Sequence, residues 1–340
     1  MTARVGIVAN PAAAHDLRRI SGYSSVVDSQ EKVRVVRRIL LGLQAAGVNE
    51  VLFMPDHHQI CANAADINAV TLTTRALAMD YVSDATDSTE AARLMREESC
   101  ACIITLGGDG TNRAVAKGCG TTPILALSTG TNNVVPRHVE GTIAGLAAGY
   151  YASGRIDEAQ AVSRTKRLEI SSRDTISDIA LVDAAVSLVP FIGARAITNL
   201  DTLERMWFTQ AEPGCIGLAA IGAALHPFSP EEDGMLEVIL APDGSSKPAT
   251  ELVDLPIAPG VITTARVTSW RVVPMDERVR ISSPCTLAFD GERTLRINQD
   301  DRITIAATWN GPRLLDATAI MRAAADMGFF KRQAEVAPQT

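Results

Sequence analysis

The first 155 residues of this 340-residue chain alternate short apolar runs with stretches of helical periodicity, and no other feature limits its fold as strongly. Residues 5–9, 51–54, 102–106 and 124–127 are too apolar to keep one face in water, so they read as strands covered on both sides. Between the first two, residues 29–46 place Val33, Val36, Ile39, Leu40, Leu43 and Ala46 at helical spacing. Asp28 and Glu31 form the pattern of a capping box there, and Gly47 stands where a helix ends. Asp87 and Glu90 predict the start of another helix through Ala91, Leu94 and Met95. Strand–helix–strand repetition of this kind builds a parallel sheet with helices on both faces.

Residues 137–152 predict one more helix, with Val139, Ile143, Leu146, Ala147 and Tyr150 on its apolar side. Gly141, Gly145 and Gly149 recur every four residues. The short length, Arg137 and Glu140 argue against a membrane helix, so the repeat predicts close packing on another element. Past the turn Ser153-Gly154-Arg155 the pattern changes. Strands are predicted at 166–171, 179–189, 236–240, 261–273, 278–281, 286–289, 294–297 and 303–309, with turns such as Asp243-Gly244 and Pro259-Gly260 between some of them. Helices are predicted at 200–210 and 314–327. The expected organisation is an α/β domain over 1–155, a mainly antiparallel β domain over 156–330 that includes the helix at 314–327, and a frayed tail at 331–340.

Charge and composition exclude several functions. With 32 Lys and Arg against 39 Asp and Glu, the net charge is −7, which argues against a general nucleic-acid binder. No apolar run of about 18 residues is present to predict a membrane span. The opening MTARVGIVAN reads as a first strand and not as a signal peptide. Cys61, Cys100, Cys102, Cys119, Cys215 and Cys285 form no C-x-x-C pair, so buried free thiols and the cytoplasm are expected.

The sharpest local signal is Leu106-Gly107-Gly108-Asp109-Gly110-Thr111-Asn112-Arg113, between an apolar strand and a helical pattern. Three glycines let the backbone turn sharply and approach a ligand, and the first N–H groups of the next helix favour anions. Asp109 sets a negative charge beside that anion site. The arrangement suits a carboxylate that binds Mg²⁺ or takes a proton from a hydroxyl about to attack phosphorus. An ordinary glycine turn is the plainer reading.

A second glycine turn, Ser128-Thr129-Gly130-Thr131-Asn132-Asn133, follows the strand at 124–127, with hydroxyls and amides that bind nucleotides or cap helices. Asp290-Gly291-Glu292 between strands is a hairpin signal whose acids would otherwise reach across a domain cleft. Asn10-Pro11-Ala12, with Asp16, Arg18 and Arg19, follows the first strand and either lines the same edge or forms a solvated face.

Familiar alternatives are absent. The chain has no G-x-x-x-x-G-K-[ST], no G-x-G-x-x-G after the first strand and no G-x-S-x-G. His138-Val139-Glu140 with Pro284-Cys285 imitates a zinc deaminase, but Ala288 stands where the second cysteine belongs. His57-His58 lacks a third ligand at a recognisable spacing. No metal beyond Mg²⁺ is expected.

Gly107-Gly108-Asp109-Gly110-Thr111 resembles the signature of the superfamily of NAD kinases, diacylglycerol kinases and sphingosine kinases. Gly130-Thr131-Asn132-Asn133 resembles its second glycine turn, and Asp290-Gly291-Glu292 its late acidic motif. The opening Val5-Gly6-Ile7-Val8-Ala9-Asn10-Pro11-Ala12 and the stretch from Glu140 to Gly149 are most similar to the ATP-NAD kinase branch that contains acetoin catabolism protein X. The resemblance implies an α/β domain, a β-sandwich-like second domain and a nucleotide cleft between them. It implies phosphoryl transfer from ATP with Mg²⁺ to a hydroxyl of NAD or a related small molecule, a link to acetoin catabolism, and a homo-oligomer without nucleic-acid or membrane partners.

By the same resemblance Asp109 and Glu292 are the catalytic candidates. Asn10, Gly107, Gly108, Gly110, Thr111, Asn112, Thr129, Gly130, Thr131, Asn132, Asn133 and Asp290 are the nucleotide-binding ones. Two departures stand out. Asn132-Asn133 replaces the family's Asn-acid pair, and Glu292 ends the late motif as in the lipid kinases. Rival readings are therefore a kinase for a lipid or polyol hydroxyl and a nucleotide-binding regulator without turnover.

Overall fold

The computed structural model describes residues 3–12, 27–130, 133–173, 175–188, 199–242, 248–281 and 284–331, with only the backbone of 292–294. Five parallel strands form the body of the first sheet: β1 (Arg4–Ala9), β2 (Glu50–Phe53), β3 (Thr73–Ala76), β4 (Cys102–Gly107) and β5 (Ile124–Ser128). Their order is β3-β2-β1-β4-β5, so β1 and β4 lie at the centre. Every residue of β4 is buried, as its unbroken apolar run requires when both faces are covered.

Helix α1 (Ser29–Ala45) starts at Asp28, whose carboxylate accepts the Glu31 N–H at 2.7 Å. Helix α2 (Ile60–Ala65) follows β2. Helix α3 (Ala85–Glu97) starts at Asp84, earlier than the predicted Asp87. Asp87 turns back instead and accepts from the N–H groups of Val82 and Ser83. After β4 comes α4 (Asp109–Gly118), and α5 (Gly141–Ala152) follows the second glycine turn. The glycine repeat of α5 lets it lie against the backbone of α1: a Cβ on Gly145 would stand 2.2 Å from the Ile39 carbonyl oxygen. A single helical turn, α6 (Glu158–Ala161), then leads out of the first half.

The second half is antiparallel. A seven-stranded sheet runs β12 (Glu251–Ala258), β13 (Val261–Val273), β11 (Met235–Leu240), β10 (Leu203–Phe208), β9 (Asp183–Ser187), β15 (Cys285–Phe289) and β16 (Glu292–Ile297). A four-stranded sheet runs β14 (Val279–Ile281), β17 (Ile303–Thr308), β7 (Arg167–Ser172) and β8 (Thr175–Ala180). Leu168, Ile170, Val186, Trp207, Leu287 and Ile305 fill the space between them. The other face of the larger sheet packs on a core that includes Phe208, Val238, Val267 and residues of α7 (Ala219–Leu225). That is the two-layer arrangement of a sandwich.

Three expectations change. Residues 200–210 are a short 3₁₀ turn (Leu200–Thr202) and then β10, not a helix. Met206 and Phe208 enter one core and Trp207 the other, so the apolar cluster serves both faces of one strand. The run at 179–189 breaks into β8 and β9 around Leu181-Val182. The C-terminal segment, expected with the second domain, returns to the first sheet. Strand β18 (Leu314–Leu315) pairs in parallel with β5 and antiparallel with β6 (Val162–Ser163). Helix α8 (Ala317–Asp326) then buries Ile320 and Ala324 in the same core as β1 and α5.

Between β5 and β18 the chain thus leaves the first half and comes back. At the crossing Gly311 donates its N–H to the Thr165 carbonyl at 3.0 Å, and the Thr165 hydroxyl donates to the Pro312 carbonyl.

Candidate active site

The two glycine turns sit side by side because their strands do: Gly107 at the end of β4 pairs with Ser128 at the end of β5. The turns then lock together. A Cβ on Gly108 would stand 2.8 Å from the Asn133 Oδ1, and a Cβ on Gly107 would stand 2.4 Å from the Thr111 hydroxyl. Here the glycines are demanded by close approach of the chain to itself.

Asp109 occupies the first turn of α4 and bridges the turns. Its carboxylate accepts the Val134 N–H at 2.9 Å and the Val135 N–H at 2.8 Å, so it fixes the chain just after the second turn. The Val134 and Val135 side chains pack against the core that the larger sheet forms with α7. Asn112, fully buried behind the loop, accepts the Thr105 hydroxyl at 2.7 Å and donates to the Gly108 carbonyl at 2.9 Å. Thr111 accepts from the Asn10 side-chain amide at 2.8 Å, which ties the end of β1 to the motif. Asn133 donates to the Ser128 hydroxyl at 2.8 Å, within its own turn. The buried Thr129 hydroxyl has no hydrogen-bond partner among the described residues, which leaves it available to a ligand.

The late motif faces the same place. Asp109 and Val134 from the first half and Asp183, Gly217, Asp290 and Gly291 from the second line one crevice. Its free volume is about 20 Å³, room for a water. Asp290 is a second clamp: its carboxylate accepts the Leu181 N–H at 3.0 Å and the Val182 N–H at 2.8 Å across the β8–β9 turn. It does so from a left-handed backbone, φ 50°. Burial pushes its carboxyl above the ordinary range, against the pull of Arg113 and the N–H groups of Val182, Leu181 and Asp183. Asp183 in turn accepts the Gly291 N–H at 3.3 Å.

The sequence thus brings together Asn10, Gly107, Gly108, Asp109, Thr111, Asn112, Gly130 and Asn133 around one pair of turns, and it adds Asp290 from the other half. Asn112 and Thr111 serve the loop's own structure. Thr131 and Asn132 lie outside the described residues, as does the side chain of Glu292.

Two residues escape the sequence reading. Lys32 is fully buried under the end of β1, where its ammonium donates to the Asn10 carbonyl at 3.1 Å and the Pro11 carbonyl at 2.8 Å. Burial lowers its pKa to about 8, opposed by Asp56 and Asp28. A lysine in helical register with Val36, Ile39 and Leu43 is the available signal. Arg113 is the other. It ends the run that carries the glycine motif, where no role was read for it, and its guanidinium crosses to the second half.

No group of three His, Cys, Asp or Glu side chains is placed to hold a metal ion among the described residues. The carboxylates of the crevice already accept backbone N–H groups, so the described residues do not form a protein-held Mg²⁺ site. Burial raises the pKa of all six cysteine thiols, and no described helix is long and apolar enough to cross a membrane.

Comparison with known proteins finds matches to both halves. Residues 5–156 match the ATP-NAD kinase N-terminal domain, and residues 166–310 match the acetoin catabolism protein X C-terminal domain. Acetoin catabolism protein X of Cupriavidus necator is 40% identical over 333 residues, which cover 94% of this chain and 91% of that protein.

Proposed function

From the premise that the chain belongs to the acetoin catabolism protein X family, built on an ATP-NAD kinase N-terminal domain, we propose a phosphotransferase that moves a phosphoryl group from ATP to a hydroxyl of NAD or a related small molecule. The observation that carries the reading is Asp109, held between two glycine turns at neighbouring strand ends and lining the crevice shared with Asp290. A carboxylate in that position is suited to orient an acceptor hydroxyl or take its proton. The N–H groups at the start of α4 favour the phosphates, and the Thr129 hydroxyl, without a partner among the described residues, offers a ligand hydrogen bond. Mg²⁺ bound to the nucleotide's own phosphates would supply charge neutralisation. Acetoin breakdown enters through the family alone.

Purified protein with Mg-ATP and NAD is expected to form NADP, read with an NADP-specific dehydrogenase. Asp109→Asn is expected to lower turnover by about a hundredfold or more, the usual scale for a lost general base. Full activity in that variant would remove Asp109 from the chemistry. If ATP is consumed only with polyol or lipid acceptors, the reaction class stands and NAD is wrong.

One observation favours a second reading, a nucleotide-binding regulator without turnover. The Asp109 carboxylate already accepts two N–H groups, and Asn133 stands where the family carries an acid. NAD binding in calorimetry with no phosphorylated product would support it.

A further inference from the structure

A nucleotide needs a site of several hundred Å³, and the crevice lined by Asp109 and Asp290 offers about 20 Å³. Something therefore holds it shut. Helix α4 carries Asp109, Arg113 and Lys117 four residues apart, hence on one face. The Arg113 Nε donates to the Ile179 carbonyl at 2.7 Å, and its Nη2 donates to Asp178 Oδ2 at 2.9 Å. The guanidinium lies over the Phe289 ring, 4.9 Å from its centroid. The Lys117 ammonium reaches the other Asp178 oxygen at 2.6 Å.

These contacts fall on both sides of the late clamp. Asp178 and Ile179 lie in β8, three and two residues before Leu181, the first of the amides that Asp290 holds, and Phe289 is its chain neighbour. One arginine thus joins the helix that begins with Asp109 to the two strands that Asp290 ties together. Covalently, the described halves meet only where the chain crosses near Thr165 and Gly311.

We infer that Arg113 is a positioning residue that latches the two halves across the crevice, with Asp178 as its counter-charge and Lys117 as a second strap. A ligand of nucleotide size enters when this latch lets go. A buried ion pair gives back in attraction little more than its desolvation costs, so it can be opened at modest expense. Ala116, Val134 and Val135 also pack across the halves, and these apolar contacts keep them associated while the polar latch sets their register. The role of the latch goes beyond the phosphotransfer reading, and only its ligand arm rests on that reading.

The test compares the full chain with Arg113→Met, which keeps the side chain's length and its apolar contact with Phe289, and with Asp178→Asn, the milder lesion. Hydrogen exchange is followed at the Leu181, Val182, Val134 and Val135 amides and in β4, and ADP affinity is measured by calorimetry. Expected is exchange faster by about tenfold at the four clamp amides with β4 unchanged, the scale of one lost charged hydrogen bond. ADP affinity is expected to rise several-fold, because an opened population no longer taxes binding. A lesion that merely loosened the site would weaken ADP. Unchanged exchange at the clamp amides, exchange raised equally in β4, or weaker ADP binding overturns the latch. If neither protein binds ADP, the nucleotide reading fails, and the exchange result still decides the latch.

Discussion

At the end of β4, Asp109 accepts the N–H groups of Val134 and Val135, and at the tip of the β15–β16 hairpin Asp290 accepts those of Leu181 and Val182. The same device stands in different surroundings. Val134 and Val135 are half-buried, whereas Leu181 and Val182 are 2% and 1% exposed. Asp109 holds its place as the first residue of a helix, while Asp290 needs a left-handed backbone followed by Gly291 at φ 78°. Water can replace part of what Asp109 does, and nothing replaces Asp290. The comparison teaches that the first clamp can be spared for chemistry and the second cannot.

The largest effect should come from Asp290→Ala. It leaves two buried amides without an acceptor, and a loss of about 3–5 kcal/mol in urea denaturation is expected. Asp109→Ala should cost about 1–3 kcal/mol by the same measure, because its amides are only half-buried. An equal or larger loss from Asp109→Ala breaks the comparison.

The glycines sharpen it next. Gly107→Ala would drive a methyl to 2.5 Å from the Thr111 Cβ, and overpacking of this kind costs about 1–3 kcal/mol. Because the obstacle is a side chain, Thr111→Ala, which removes the hydroxyl and methyl but keeps the Cβ, should restore part of that loss. Gly291→Ala should cost about 1–2 kcal/mol for its left-handed backbone, and no neighbouring truncation should restore it. Stability measured on the single and double variants separates steric from conformational demand.

The smallest effect is in pH. The folded-state pKa of Asp290 is raised, so the folded protein holds this proton more tightly than the unfolded chain. Its contribution to stability is therefore present in acid and is lost as pH rises through the folded pKa. Asp290→Asn removes the titration. The gap between wild type and variant should narrow as pH rises from 4 to 7, by about 1.4 kcal/mol for every tenfold by which folding tightens the hold on that proton. A gap that widens instead means that Asp290 does not hold its proton in the folded protein.

Much of this was legible in the chain. The strand at 102–106 was readable because burial on both faces leaves an unbroken apolar run, and α5 because its glycine repeat had only a packing use. Strand β10 was not. Arg205 and Trp207 both donate to the buried Glu237 from the neighbouring strand, and the apolar residues around them serve two cores, so no two-residue alternation survives. Strand β12 was also hidden, since only its second half alternates buried with exposed residues and Pro256 interrupts it. At the site, the glycine motif showed that backbone would approach closely, but not what. The second turn proved to be the immediate neighbour, through Asn133. The clamp amides were invisible because N–H groups at 134–135 and 181–182 carry no mark of which carboxylate will find them.

The return of the C-terminal segment bears on synthesis. Residues 314–326 complete an edge of the first sheet and cover part of its core. While the ribosome is still making the sandwich, β5 has an open edge and α5 lacks its helical cover. Maturation of the earlier-made half must wait for residues 314–326 to emerge. A truncation before residue 314 should accordingly yield a protein prone to pairing through that bare edge.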